Sequence, residues 1–111
     1  MPIVSKRIAG PVGRLGINLP GDLKVVKYLL NTVPEQSGGP PGVILEATPM
    51  SEVIGHIERF QKRNGGFADG RVDVEGRTLQ KLREFDPTPD QPPFVPTVLS
   101  GKKRTGKKGG R

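Results

Sequence analysis

A chain of 111 residues holds at most one small domain with tails, and its 16 glycines and 12 prolines leave roughly 65–70 residues to build a core. There is no cysteine, which excludes disulfides, thiol catalysis and cysteine-ligated metals. The net charge of +7 belongs to the last ten residues, K-K-R-T-G-K-K-G-G-R, which hold six Lys and Arg, while the rest carries 12 basic and 11 acidic residues.

No apolar run approaches the ~18 residues of a membrane span, so no span is expected. The opening M-P-I-V-S-K-R-I-A-G lacks the apolar stretch of a signal peptide, which points to synthesis in the cytoplasm. Residues 1–19 read as an irregular segment broken by Gly10, Pro11, Gly13 and Gly16, with Ile3, Val4 and Ile8 available to pack on the body. A first helix is expected over about 20–33. Pro20 suits its first position, and Asp22 favours the positive end of the helix dipole. Leu23, Val26, Leu30 and Val33 share one face, with Leu29 beside them, and Lys24, Lys27 and Asn31 are expected to face away.

The following P-E-Q-S-G-G-P-P-G-V-I-L-E-A reads as a long flexible loop in which Val43-Ile44-Leu45 returns to the core. Thr48 is placed to cap a second helix, with Pro49 as its first residue. Met50, Val53, Ile54, Ile57 and Phe60 recur at helical spacing and give that helix its apolar face. Lys62 and Arg63 suit its negative end, and Asn64-Gly65-Gly66 stops it, since these residues accept the left-handed backbone of a C-cap cheaply.

Asp69-Gly70 then predicts a tight turn, and Asp73 is placed to cap a third helix of about 74–84. Its Leu79 and Leu82 would pack against Phe60, closing a core that also includes Val72. Asp86 to Pro96 reads as an extended, proline-rich linker that Phe94 and Val95 could pin to the body, and 100–111 should be disordered alone. The resulting expectation is all-α: a small three-helix bundle over 20–85, an irregular segment over 1–19, and a linker with a disordered basic tail over 86–111.

Two blocks carry a resemblance. The first is V-G-R-L-G-I-N-L-P-G-D-L-K-V-V-K-Y-L-L-N, residues 12–31. The second is I-E-R-F-Q-K-R-N-G-G-F-A-D-G-R-V-D-V-E-G-R-T-L-Q-K-L, residues 57–82. Their Leu-Leu-Asn helix end, Phe60-Gln61, Asp-Gly-x-Val turn (Asp69 to Val72) and Gly-x-Thr-Leu helix start (Gly76 to Leu79) resemble the peptidoglycan-binding-domain-like family. These are small helical modules attached to bacterial and phage cell-wall hydrolases. The chain departs from the family pattern before the middle helix, where L-E-A-T-P-M-S-E-V replaces a usual Asp-Gly-x-x-Gly-Pro-x-Thr turn. The resemblance implies a three-helix bundle that recognises cell-wall glycan or stem peptide without catalysing a reaction.

Several clusters bear chemistry in principle. Asp69, Asp73 and Glu75 are acidic enough to suggest calcium or a glycosidase pair, yet Arg71 stands where a calcium loop wants Asp or Asn, and the loop glycine is missing at Val74. A turn residue and a cap are the favoured reading. His56 is the only histidine, and no catalytic triad or zinc set can be assembled around it, so it reads as a rim residue. Gly13, Arg14 and Gly16 could cradle an anion but read first as a flexible entry to the first helix. Tyr28 reads as a cover for the core edge rather than a sugar platform.

The ligand site is therefore expected around the last turn, at Asp69, Arg71, Asp73, Arg77 and Thr78, whose arginines offer bidentate donors to hydroxyls or a carboxylate. Lys102, Lys103, Arg104, Lys107, Lys108 and Arg111 form a polyanion-binding arm that lacks any aromatic residue for base stacking. The expected partner is peptidoglycan or another anionic wall polymer, with the protein released or exported to the wall or built into a virion or secretion system. The alternatives are a protein–protein scaffold that keeps the fold, or a binder of nucleic acid or another polyanion through the tail. No cofactor is expected.

Overall fold

The computed structural model describes residues 6–65 and 67–98. Among these residues the regular structure is mostly helical, with three helices and a small two-stranded sheet. Strand β1 is Val12–Gly13, α1 is Pro20–Thr32, α2 is Met50–Arg63, β2 is Arg71–Val72 and α3 is Arg77–Arg83. A 3₁₀ turn, Glu35–Ser37, lies between α1 and α2. No helix among the described residues is long and apolar enough to cross a membrane.

The three helices stand where their apolar spacing puts them, and the apolar residues meet in one core. Val26, Leu29, Leu30, Val53, Ile57, Phe60, Val72, Leu79 and Leu82 are fully buried, with Val33 almost so; Leu23 and Met50 lie partly buried against them, and Ile54 is half-buried. Phe60 is only 1% exposed, and the Phe85 ring meets it edge to face at 6.1 Å between centroids. Residues outside 20–85 also join: Ile8, Val12 and Val95 are buried. Phe94, expected to pin the linker beside Val95, is instead 70% exposed; its neighbour alone reaches the core.

The irregular entry segment proves to be partly strand. β1 pairs with β2 antiparallel, with Val12 opposite Val72 and Gly13 opposite Arg71. This departs from an all-α fold, and two residues are too few for strand periodicity to reveal. Glycine is needed at the crossing. Gly13 has φ +113°, and a Cβ there would lie 2.2 Å from the Gly70 carbonyl oxygen. The rest of the entry is closed by Asn18. Its Oδ1 accepts the Gly13 N–H at 2.6 Å, and its Nδ2 donates to the carbonyls of Gly13 and Gly16. Arg14 pairs with Glu58, so its guanidinium serves α2 rather than an anion cradle.

Three capping expectations change. α2 begins at Met50 with Pro49 at the cap position, and the Thr48 hydroxyl instead accepts the Leu45 N–H at 2.8 Å, closing a 45–48 turn. α3 has Gly76 at its cap and spans seven residues, shorter than expected, because Val74 and Glu75 turn back and the Gly76 N–H returns to the Asp73 carbonyl. The Asp73 carboxylate is engaged by Arg71 and caps nothing. At the other end of α2, Asn64 caps as expected, with Gly65 following at φ +78°. Gly66 lies outside the described residues.

Lys27 and Asn31 do not face away. Lys27 is 3% exposed and donates to the Glu46 carbonyl at 2.6 Å, and Asn31 holds both the N–H and the C=O of Ile44. The loop after α1, expected to be flexible, is thus stitched down. Arg63 and Asn64 donate to the carbonyls of Gln36 and Ser37, and the Glu46 N–H donates to the Pro96 carbonyl.

A second buried network joins the start of the described chain to the linker. The Lys6 ammonium is 2.8 Å from the Asp86 carboxylate and 5.0 Å from the centre of the Tyr28 ring. The Tyr28 hydroxyl bonds the Thr88 hydroxyl at 2.7 Å and donates to Asp86 at 3.3 Å. Tyr28 is thereby a core-edge cover with its polar tip satisfied. Burial pushes the Asp86 carboxyl up, but the hydrogen bonds from Lys6 and Thr88, the Lys6 charge and the Tyr28 hydroxyl outweigh it and hold the group below its ordinary 3.8.

A lowered carboxyl pKa stabilises the fold above the ordinary value, and that contribution is lost as the pH falls through the lowered one. Asp86→Asn should therefore be less stable than the parent at neutral pH, and the gap should shrink between about pH 5 and pH 2 in urea titrations; a gap independent of pH would contradict this assignment. Phe60→Ala should cost about 3–5 kcal/mol and largely unfold so small a domain, read as loss of helical circular dichroism at room temperature.

Candidate functional site

The last turn is built by one side chain. Gln61, on the final turns of α2, is almost wholly buried, and its amide faces the loop that the chain makes after Asn64. Its Oε1 accepts the Gly70 N–H at 2.9 Å. Its Nε2 lies 3.0 Å from Asp69 Oδ1, 3.0 Å from the Arg71 carbonyl and 3.1 Å from the Thr78 hydroxyl. One amide therefore joins the Asp-Gly turn, β2 and the first turn of α3 to α2. Gly70 has the left-handed φ of +72° that the turn requires. A Cβ there would lie 3.0 Å from the Ile54 side chain, a tight contact that the side chain would have to relieve.

The carboxylates are organised by Arg71. Asp69 Oδ1 accepts the Arg71 main-chain N–H at 3.0 Å, and its other oxygen lies 3.9 Å from the Arg71 guanidinium. The Nε of Arg71 donates to Asp73 at 2.8 Å. The guanidinium thus occupies the space between two carboxylates where a cation would sit, and among the described residues no group of three His, Cys, Asp or Glu could hold a metal. Burial pushes the Asp69 carboxyl up, but the hydrogen bonds from Gln61 and the Arg71 N–H, with the Arg71 charge, prevail and lower it. Asp69 is then an ionised acceptor at neutral pH, whereas a glycosidase acid needs a raised pKa. Glu75 points elsewhere, towards Arg7 at 3.8 Å.

All five residues expected to hold the ligand line one cavity of about 220 Å³: Asp69, Arg71, Asp73, Arg77 and Thr78. Gln61 forms its floor, and Gly76 and Phe67 complete the wall. Thr78 accepts from Gln61, which leaves its own proton free to donate. Arg77 is exposed, and its guanidinium makes no hydrogen bond or ion pair among the described residues. Phe67 stands 86% exposed at the rim, a large aromatic surface beside a cluster of polar groups. The arrangement offers acceptors, a free cation, a hydroxyl donor and an aromatic face. It suits a polyhydroxylated or zwitterionic ligand.

Sequence reasoning missed Phe67 and Gln61 as site residues. The signal for Phe67 was its place between a helix stop and an Asp-Gly turn, where no core is within reach. Gln61 was visible only as half of the Phe-Gln pair. His56 is half-buried on α2 and stands outside this cavity; desolvation lowers its pKa, Glu52 opposes that and Arg59 adds to it. The polyanion-binding candidates Lys102, Lys103, Arg104, Lys107, Lys108 and Arg111 lie outside the described residues. Compared with known proteins, the chain matches no family model, no curated protein and no solved structure.

The floor of the cavity predicts its own fragility. Gln61→Leu keeps the side-chain bulk but strands the Gly70 N–H and the Arg71 carbonyl, and should cost about 2–4 kcal/mol in urea unfolding. An unchanged midpoint would show that the amide does not hold the turn.

Proposed function

We propose that the protein is a non-catalytic module that binds peptidoglycan, with a fold akin to the peptidoglycan-binding-domain-like family. The observation that carries this reading is the gathering of Asp69, Arg71, Asp73, Arg77 and Thr78 around one small cavity with an exposed aromatic rim. Glycan hydroxyls would meet Asp69, Asp73 and Thr78. A stem-peptide carboxylate would meet Arg77, whose planar fork offers two parallel donors. The basic tail would add attraction to anionic wall polymers that weakens with salt. On this reading the protein works at a cell wall, within a virion or in a secretion system.

A protein–protein scaffold is the second reading. It is favoured by the region that replaces the family's first Asp-Gly turn, where Leu45 to Thr48 close a different turn and the Glu46 N–H pairs with Pro96. Binding of nucleic acid through the tail is the third.

Sedimentation with purified peptidoglycan separates these readings. The full chain and a chain lacking 97–111 should both be retained, and Arg77→Ala should weaken retention about tenfold, the worth of one charge-assisted contact. Retention that needs 97–111 and vanishes in moderate salt would transfer the function to the tail. No retention in either form would leave the scaffold.

A further inference from the structure

A second concavity, of about 310 Å³, lies along α1 and is lined by Pro20, Leu23, Lys24, Lys27, Glu46 and Val95. Its walls are Pro20, Leu23 and Val95, which make it mainly apolar. Its polar groups do not balance. Lys24 and Lys27 bring two ammonium groups, and Glu46 brings one carboxylate, which lies 3.8 Å from Lys24. Among the described residues no carboxylate approaches the Lys27 ammonium within ion-pair distance. Lys27 has only the Glu46 carbonyl, at 2.6 Å, for an ammonium with three donors.

Buried charges are ordinarily paired, because removing an ion from water is costly unless a counter-charge replaces the hydration. Burial pushes the Lys27 ammonium below its ordinary pKa, and the Glu46 charge opposes this in part. Pro20 opens α1 in the cavity wall, and the helix has no side-chain cap. The Asp22 carboxylate, in the first turn, accepts the N–H groups of Ala9 and Gly10 at 3.0 and 2.9 Å. The main-chain N–H groups of Gly21 and Asp22 are left without a partner among the described residues.

We infer that this groove binds an apolar molecule ending in a single carboxylate, with Lys27 and Lys24 holding the carboxylate and Pro20, Leu23 and Val95 covering the apolar part. One negative charge matches the surplus of one ammonium; a phosphate dianion would exceed it. The volume suits a short acid or the last two residues of a peptide. This site stands apart from the Asp69–Thr78 cavity and does not depend on the wall-binding reading.

The test is an amide-resolved nuclear magnetic resonance titration of the full chain with three probes: N-acetyl-alanyl-alanine, its C-terminal amide, and butyrate. The acetylated dipeptide acid should shift the Leu23, Lys24, Lys27 and Val95 signals, and the amide should bind at least about tenfold more weakly. Butyrate binding as well as the dipeptide acid identifies a free short acid as the source; tighter dipeptide binding identifies a peptide terminus. Lys27→Met, which keeps the stem and removes the charge, should abolish the preference for acid over amide. If that variant does not fold, Lys24→Gln, at an exposed position, should reduce the preference about two- to threefold. Equal binding of acid and amide, shifts confined to other residues, or no shift with any probe would overturn the assignment.

Discussion

The amide of Gln61 is the contact on which the lower half of the protein depends. It is buried, and its oxygen and nitrogen meet the turn at Gly70, the carboxylate of Asp69, the main chain of Arg71 and the hydroxyl of Thr78. These partners belong to three successive pieces of the chain after α2: the Asp-Gly turn, β2 and the first turn of α3. With the turn fixed, β2 lies where β1 can pair with it, and α3 starts where Leu79 and Leu82 reach Phe60. The missing side chain of Gly13 lets the two backbones approach closely enough for the Arg14 N–H to reach the Gly70 carbonyl at 2.9 Å. A buried amide contributes little net stability when satisfied and costs much more when its partners are stranded. Its main effect is therefore on which arrangement forms.

The helices were legible because their information is repeated. Met50, Val53, Ile57 and Phe60 each restate the same face, and one misread position changes little. The caps were less legible because each rests on one residue with competing uses. Thr48 serves a turn two residues before the helix, and Asp73 answers Arg71 rather than an amide. The orientation of Lys27 and Asn31 was hidden for a different reason. Periodicity finds the face that packs on other helices, but α1 is also wrapped by the segments around Ile44 and Val95, which have no periodicity of their own.

The candidate site was more legible than the fold around it. Asp-Gly dictates a turn, a turn gathers nearby polar side chains, and Asp69, Arg71, Asp73, Arg77 and Thr78 share one cavity as a result. The missing piece was the floor. A glutamine at the end of an amphipathic helix looks like any solvated residue, and only the returning loop makes it internal. Phe67 went unnoticed because it belongs to no apolar period, and only the structure shows it 86% exposed at the rim.

Among the described residues four polar side chains are buried, and each sits at a seam between segments that the apolar core alone would not join. Lys6 ties the entry segment to the linker through Asp86 and Thr88. Asp22 ties the same segment to α1 through two main-chain amides, and Gln61 ties the last turn to α2. Lys27 ties α1 to the loop at Glu46. Lys6 meets a carboxylate, and Asp22 and Gln61 each meet two or more complementary groups. Lys27 has a single neutral carbonyl, in a groove whose one carboxylate lies beside another lysine. If Lys27 served only to anchor the loop, an uncharged donor would do so without the cost of desolvating an ammonium. The asymmetry among four otherwise similar seams is what sets the α1 groove apart as a place where an anion is wanting.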